Sequence, residues 1–196
     1  IFVGWAWKRH GRGRVFVASM ITLALIVFEA LIGAGIVLKE LVADDASVAR
    51  AVVISIHLAN TLTLTAAASL TMFWDKHDDR PTGAPSKLFY VSIGACFLVL
   101  VTCMSGAVTA LGDTLFPVDP NVSGDLLARL SEDLSPANHF LIRLRIIHPI
   151  IAVISAAFAG LLAAKLTRAP DKLTADLATG LGIVTIAQVA AGFTNI

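Results

Sequence analysis

With 196 residues, 57% of them hydrophobic and only 15% charged, the chain carries more apolar surface than a soluble domain of its size can bury. Its mean hydropathy is +0.81. The formal charge of +1 at pH 7 comes from basic residues dispersed in short polar stretches between apolar runs, which excludes the contiguous basic patch that nucleic-acid binding requires. The pattern predicts an all-α, polytopic transmembrane helical bundle.

The opening stretch Ile1 to Trp7 provides only about 10 Å of helix against roughly 30 Å of hydrocarbon. It has no signal-peptide cleavage pattern and reads as the last turns of a span that begins before Ile1. Val15 to Leu38 is the first complete span and holds Glu29, with Gly33 and Ala34 about one turn later, where another helix can approach closely. An acidic loop leads to a second span, Val48 to Trp74. The polar linker from Asp75 to Lys87 contains Pro81, Gly83 and Pro85, which forbid continuous helix. Leu88 to Gly112 spans next, followed by a turn-rich stretch and then by Gly124 to Leu134, whose leucines at helical spacing predict a short interfacial helix. Phe140 to Ala164 and Leu177 to Ile196 complete five full or near-full spans. The last one stops without a polar flank, so the chain reads as cut at that end too.

Ten of the fifteen basic residues fall on one side: Lys8, Arg9, Arg12, Arg14, Lys76, Arg80, Lys87, Lys165, Arg168 and Lys172. Lys39, Arg50, Arg129, Arg143 and Arg145 fall on the other. The positive-inside rule makes the first side cytoplasmic, which predicts an integral protein of a bacterial-type cytoplasmic (inner) membrane. Counting inward from the opposite side puts His57 and His148 each about nine residues, or roughly 14 Å, below the outer surface. Both then lie in the outer half of the bilayer.

An ionisable side chain at that depth is costly, so His57 and His148 are the first candidates for function. Helical spacing aligns Arg50, Asn60 and Thr61 with His57, while Ala152, Ser155, Ala156 and Ala159 follow His148 on its face. Small side chains leave room for a flat macrocycle, so the two histidines suggest haem, its iron bound between membrane helices. Arg50 lies two turns outward of His57; Arg145 lies one turn outward of His148, with Arg143 close by. Guanidinium groups so placed suit haem propionates. The plainer alternative is a histidine hydrogen-bonded across a helix interface.

His10 and His77 fall in charged loops, and His139 falls near the interface on the face opposite His148. Glu29 reads as a proton relay, a hydrogen bond to a neighbouring helix or a neutralised carboxyl. Cys96 and Cys103 lie about 10 Å apart along one helix, too far for a disulfide. Gly106 marks a close helix or ligand approach. The sequence shows no Cys/His metal cluster, phosphate loop or nucleophile triad.

The run F-E-A-L-I-G-A around Glu29 has an echo in A-Q-V-A-A-G-F around Gln188. This predicts two four-helix halves related by an internal repeat. Residues 1–74 form the C-terminal part of the first half, 75–87 a cytoplasmic linker and 88–196 the first three helices of the second half.

The runs E-A-L-I-G-A-G from Glu29, H-L-A-N-T-L-T-L from His57, S-G-A-V-T-A-L-G-D-T-L-F-P from Ser105 and R-L-R-I-I-H-P from Arg143 resemble the haem A synthase family. The resemblance implies two halves, each offering histidines from its second and fourth helices. His57 then matches the fourth-helix histidine of the first half, at the substrate haem O site. His148 matches the second-helix histidine of the second half, at the haem b cofactor. Their partner histidines, and the family's catalytic glutamate, would lie before Ile1 and after Ile196. Pro149 stands where the family often has arginine, and the cysteine pair that many members carry in outer loops is missing. The activity implied is oxidation of a haem O methyl group to a formyl group, with water supplying oxygen. Membrane lipid, haem O synthase and cytochrome oxidase subunits are the implied partners, with no nucleic acid. The alternative is a non-catalytic b-type membrane cytochrome exchanging electrons with quinone. A small-solute transporter would call for broken helices or paired intramembrane charges.

Overall fold

The computed structural model describes residues 2–76, 87–117, 127, 131 and 133–194. Nearly all of the expected interfacial helix lies outside them, as do Arg129 and most of the 75–87 linker with His77 and Arg80. Among the described residues all regular structure is helical: α1 (Phe2–His10), α2 (Arg14–Leu38), α3 (Val48–Lys76), α4 (Lys87–Leu115), α5 (Phe140–Leu144), α6 (Ile147–Leu166) and α7 (Lys172–Phe193). Five helical stretches are long and apolar enough to cross a membrane: α2, α3, α4, α5 with α6, and α7. The chain is an integral membrane protein.

Side-chain size is sorted in the sense a membrane demands. Large residues point outward, with Leu31 64%, Leu161 74% and Ile186 72% exposed, while Ser19, Thr22, Ala51, Ala159, Ala163 and Ala178 are buried between helices. Small residues let backbones approach where lipid tails remove the usual hydrophobic drive for helix association. Several hydroxyls are satisfied within their own helices: Thr22, Ser55, Thr65 and Thr71 donate to the carbonyl four residues back.

Helices pack in sequence order, α1 on α2, α2 on α3, α3 on α4 and α6 on α7, with α4 also meeting α5 and α6. At one end His10 Nε2 lies 2.8 Å from Asp75 Oδ1, joining the last turn of α1 to that of α3. At the other end Ala51, Leu111 and Leu141 form a buried cluster that ties α3, α4 and α5 together.

The α2–α3 connection is closed by polar contacts. Glu40 N–H bonds to the Val37 carbonyl and Leu41 N–H to that of Ile36, a Schellman closure, with Glu40 left-handed at φ 54°. Ser47 then caps α3, its hydroxyl accepting from Arg50 N–H at 3.1 Å. Asp171 caps α7, and the hydroxyl and N–H of Thr174 hold its carboxyl below the usual carboxylate range.

Several expectations need correction. The span expected from Phe140 is one helical stretch, Phe140–Leu166, with a local lapse at Arg145–Ile146, where the backbone stays right-handed helical. Pro149 has no N–H for the Arg145 carbonyl, so the helical hydrogen bonding lapses one turn before it without the helix ending. His139 is not on the helix opposite His148. It precedes α5 as its N-cap, and its ring stacks on Phe116 with centroids 4.8 Å apart. The last span starts at Lys172 instead of Leu177, because Asp171 supplies the cap. Gly33 has no neighbour within 4 Å where a Cβ would stand, so among the described residues no helix approaches there.

Candidate functional site

The two histidines fall in two separate interhelical sites. The first lies between α2 and α3, where residues one turn apart on α3 converge on Glu29 of α2. The Asn60 amide donates to Glu29 Oε2 and, at 3.0 Å, to the Leu25 carbonyl. Thr61 places its hydroxyl on Glu29 Oε1 and 3.0 Å from the His57 carbonyl. His57 Nδ1 faces the same carboxylate, 3.4 Å from Oε1. That nitrogen is buried and has no hydrogen-bond partner, although 40% of the side chain is exposed. The exposed share is therefore carried by the ring's other atoms.

Sequence reasoning aligned Asn60 and Thr61 with His57 but left Glu29 without a partner. The signal that pairs them is depth. Glu29 lies about nine residues before the end of α2 and His57 about nine after the start of α3, which makes them level in antiparallel helices.

The second site lies between α4 and α6. His148 Nδ1 is 3.0 Å from Ser105 Oγ, and Ser105 Oγ is 2.8 Å from the Thr102 carbonyl. The carbonyl can only accept, so a Ser105 proton given to Thr102 leaves Oγ to accept from His148 Nδ1–H, and Nε2 keeps the lone pair. One turn further, Thr102 and Ser155 hydroxyls meet at 2.6 Å, and Ser155 also reaches the Leu98 carbonyl at 3.3 Å. Gly106 admits the imidazole: a Cβ there would stand 3.0 Å from His148 Cε1. The close approach expected at Gly106 is thus that of the histidine helix. An apolar groove of about 240 Å³ adjoins Ser105, walled by Ser55, Val101, Met104, Val108, Leu144 and Ile147.

The arginines are engaged by the protein itself. Arg50 donates through Nη1 to the carbonyls of Ala43 and Asp45, holding the α2–α3 loop. Arg145 donates through Nη2 to the carbonyls of Gly112, at 2.9 Å, and Phe116. Its Nε lies 2.6 Å from Asp113 Oδ1 and its Nη1 3.7 Å from Asp133 Oδ1. It therefore closes the C-terminus of α4. Arg143 is exposed at the end of α5. Cys96 and Cys103 are free thiols.

Among the described residues no three His, Cys, Asp or Glu side chains converge as a metal site. Each site instead presents a single imidazole, the ligand that iron already held by a porphyrin takes on one face. At His57 the buried Nδ1 makes no hydrogen bond but faces Glu29 Oε1 at 3.4 Å, where an acceptor would turn Nε2 toward a metal.

Fold and sites together define a polytopic helical membrane protein with histidines set between paired helices. A model of the cytochrome oxidase assembly protein family (COX15-CtaA) matches residues 1–196, and the chain belongs to that family. It is also 41% identical over 200 residues to proteins named protoheme IX farnesyltransferase from two strains of Thermus thermophilus. Those matches cover 98% of this chain but only 31% of each relative. No solved structure matches.

Proposed function

We propose that the chain serves haem A synthesis, as an integral membrane oxidoreductase that converts one methyl group of haem O to a formyl group. The observation that carries this reading is the pair of imidazoles, each with Nδ1 turned to an oxygen on a neighbouring helix and with Nε2 left to ligate. His57 is the ligand for the substrate haem O and His148 the ligand for the haem b cofactor. When bound, that cofactor supplies the one-electron chemistry by which reducing equivalents leave the site. The protein's own part is to bind and orient. Asn60 and Thr61 hold Glu29 beside His57, Ser105 and Gly106 seat His148, and Arg145 with Asp113 keeps α5 against α4. Water supplies the new oxygen. Both sites lie in the outer half of a bacterial cytoplasmic membrane, with the Lys76 and Arg168 loops inside.

Two comparisons support the reading. The family is one of cytochrome oxidase assembly, and the Thermus relatives bear the name of an enzyme that farnesylates protohaem. A farnesylated protohaem is the substrate proposed here. Haem O synthase and cytochrome oxidase subunits are accordingly the proposed protein partners.

The test is to extract haems from cells that express the complete gene with haem O available. Haem A is expected with the wild type and is lost in His57→Ala and in His148→Ala, the latter also losing a low-spin b-type spectrum. Haem B alone from the wild type would instead mark a b-type cytochrome.

A further inference from the structure

An imidazole nitrogen sealed between helices needs a partner, and at His57 the one facing Nδ1 comes from another helix. Nδ1 is sealed from solvent and satisfied by no hydrogen bond; the acceptor turned toward it is Glu29 Oε1, 3.4 Å away. The carboxylate is itself fixed, by the Asn60 amide on Oε2 and the Thr61 hydroxyl on Oε1. Those two donors already tie α2 to α3, one on each carboxylate oxygen, and leave Oε1 a lone pair on the side of His57. The approach of a third group, the sealed Nδ1 of a histidine at the same depth, gives Glu29 a second task.

We propose that Glu29 is the positioning residue of the His57 site: it takes the Nδ1 proton of His57 in a hydrogen bond, so that Nε2 keeps its lone pair and meets iron with a donor strength set by a carboxylate. This rests on the reading of His57 as an iron ligand. The His148 site differs in kind, because Nδ1 there meets the neutral Ser105 hydroxyl at 3.0 Å. A carboxylate draws the proton harder than a hydroxyl does, makes the ring the stronger electron donor and stabilises ferric iron. The haem at His57 therefore has a lower reduction potential than it would have without Glu29. That is the sense that favours loss of electrons from the site where a methyl group is to be oxidised.

The experiment uses the full-length protein that carries this chain, purified with its haems. Wild type, Glu29→Gln, Thr61→Val, Ser105→Ala and His57→Ala are compared by optical redox titration and by low-temperature EPR of the oxidised form. Glu29→Gln is expected to raise the potential of one haem, the one that His57→Ala removes, and to shift its low-spin g values. Thr61→Val removes a competing donor from Oε1, which strengthens the bond from Nδ1 and lowers the same potential. Ser105→Ala acts on the other haem only.

An unchanged potential and unchanged g values in a Glu29→Gln protein that keeps this haem overturn the proposal. Shifts of one sign in Glu29→Gln and Thr61→Val overturn it too, because a general loosening of α2 against α3 has no opposite sign. Where Glu29→Gln does not keep the haem, the sign in Thr61→Val decides. If His57→Ala retains both haems, the ligand assignment itself fails, an outcome distinct from an intact ligand that is indifferent to Glu29.

Discussion

The imidazole of His148 lies against the bare α-carbon of Gly106, so that a methyl group added there would stand 3.0 Å from Cε1, 3.4 Å from Nδ1 and 3.5 Å from Nε2. Helix α4 thus presents Gly106 and Ser105 side by side to one ring, the first for space and the second for a hydrogen bond.

This contact separates stability from ligation. Gly106→Ala gains roughly 1 kcal/mol of helix propensity within α4, while forcing the ring to give by a few tenths of an ångström. Its thermal midpoint is expected to match or exceed that of the wild type, with the signal of the haem proposed for His148 altered. Gly106→Val adds bulk the ring cannot evade and is expected to lose that haem. A normal haem spectrum in Gly106→Val, measured with haem content per protein, would show that the ring is free to move.

The α2–α3 loop offers a test of the fold alone. Glu40 closes the Schellman turn in the left-handed region at φ 54°, a conformation that costs an L-residue about 1 kcal/mol or more and glycine almost nothing. Glu40→Gly is therefore expected to stabilise the protein by about 1 kcal/mol. A thermal or denaturant midpoint that falls would count against the turn.

Orientation is testable at exposed positions on either side. Ala137 precedes α5 and Thr167 follows α6, with a single crossing between them. The segregation of basic residues predicts that Ala137→Cys reacts with a membrane-impermeant thiol reagent on intact cells and Thr167→Cys only after permeabilisation. The reverse pattern would invert the topology.

Much of this architecture is legible in the residues, and the parts that are not share a cause. The spans could be located because each needs about 20 apolar residues in line, a one-dimensional property. The lapse in hydrogen bonding before α6 lies one turn ahead of Pro149, inside a run from Phe140 that stays apolar throughout, so composition reads one span there. Glu29 and His57 were each visible as costly intramembrane groups. Their pairing depends on antiparallel depth, a relation between helices that no single window contains. His139 was placed on a helical face by counting back from His148, a count that runs one residue past the start of α5, where His139 is the N-cap. Arg145 was read from its distance to His148, while its actual neighbours, Asp113 and the Gly112 and Phe116 carbonyls, come from the far end of another helix.

Arg145 gives the strongest prediction about stability. Its side chain is only 9% exposed, and its nitrogens meet Asp113, Asp133 and the carbonyls that close α4. Hydrogen bonds to a charged group contribute about 1.5–3 kcal/mol each when deleted singly, and stranding the partner of a buried ion pair costs about 3–5 kcal/mol. Asp113 is 54% exposed and regains water when the guanidinium is removed, which puts Arg145→Met nearer the lower figure, at about 2 kcal/mol. Lysine keeps the charge but brings a single ammonium where the site uses a planar fork on two carbonyls and a carboxylate, so Arg145→Lys should recover less than half of the loss. Asp113→Asn should cost less than Arg145→Met, because it removes only the ion pair and leaves Arg145 Nη2 on the Gly112 and Phe116 carbonyls. Thermal unfolding of the four proteins in one detergent checks the order, wild type above Asp113→Asn, then Arg145→Lys, then Arg145→Met. If Arg145→Met unfolds with the wild type, the guanidinium does not hold α5 to α4, and its donors are free to serve a bound anion instead.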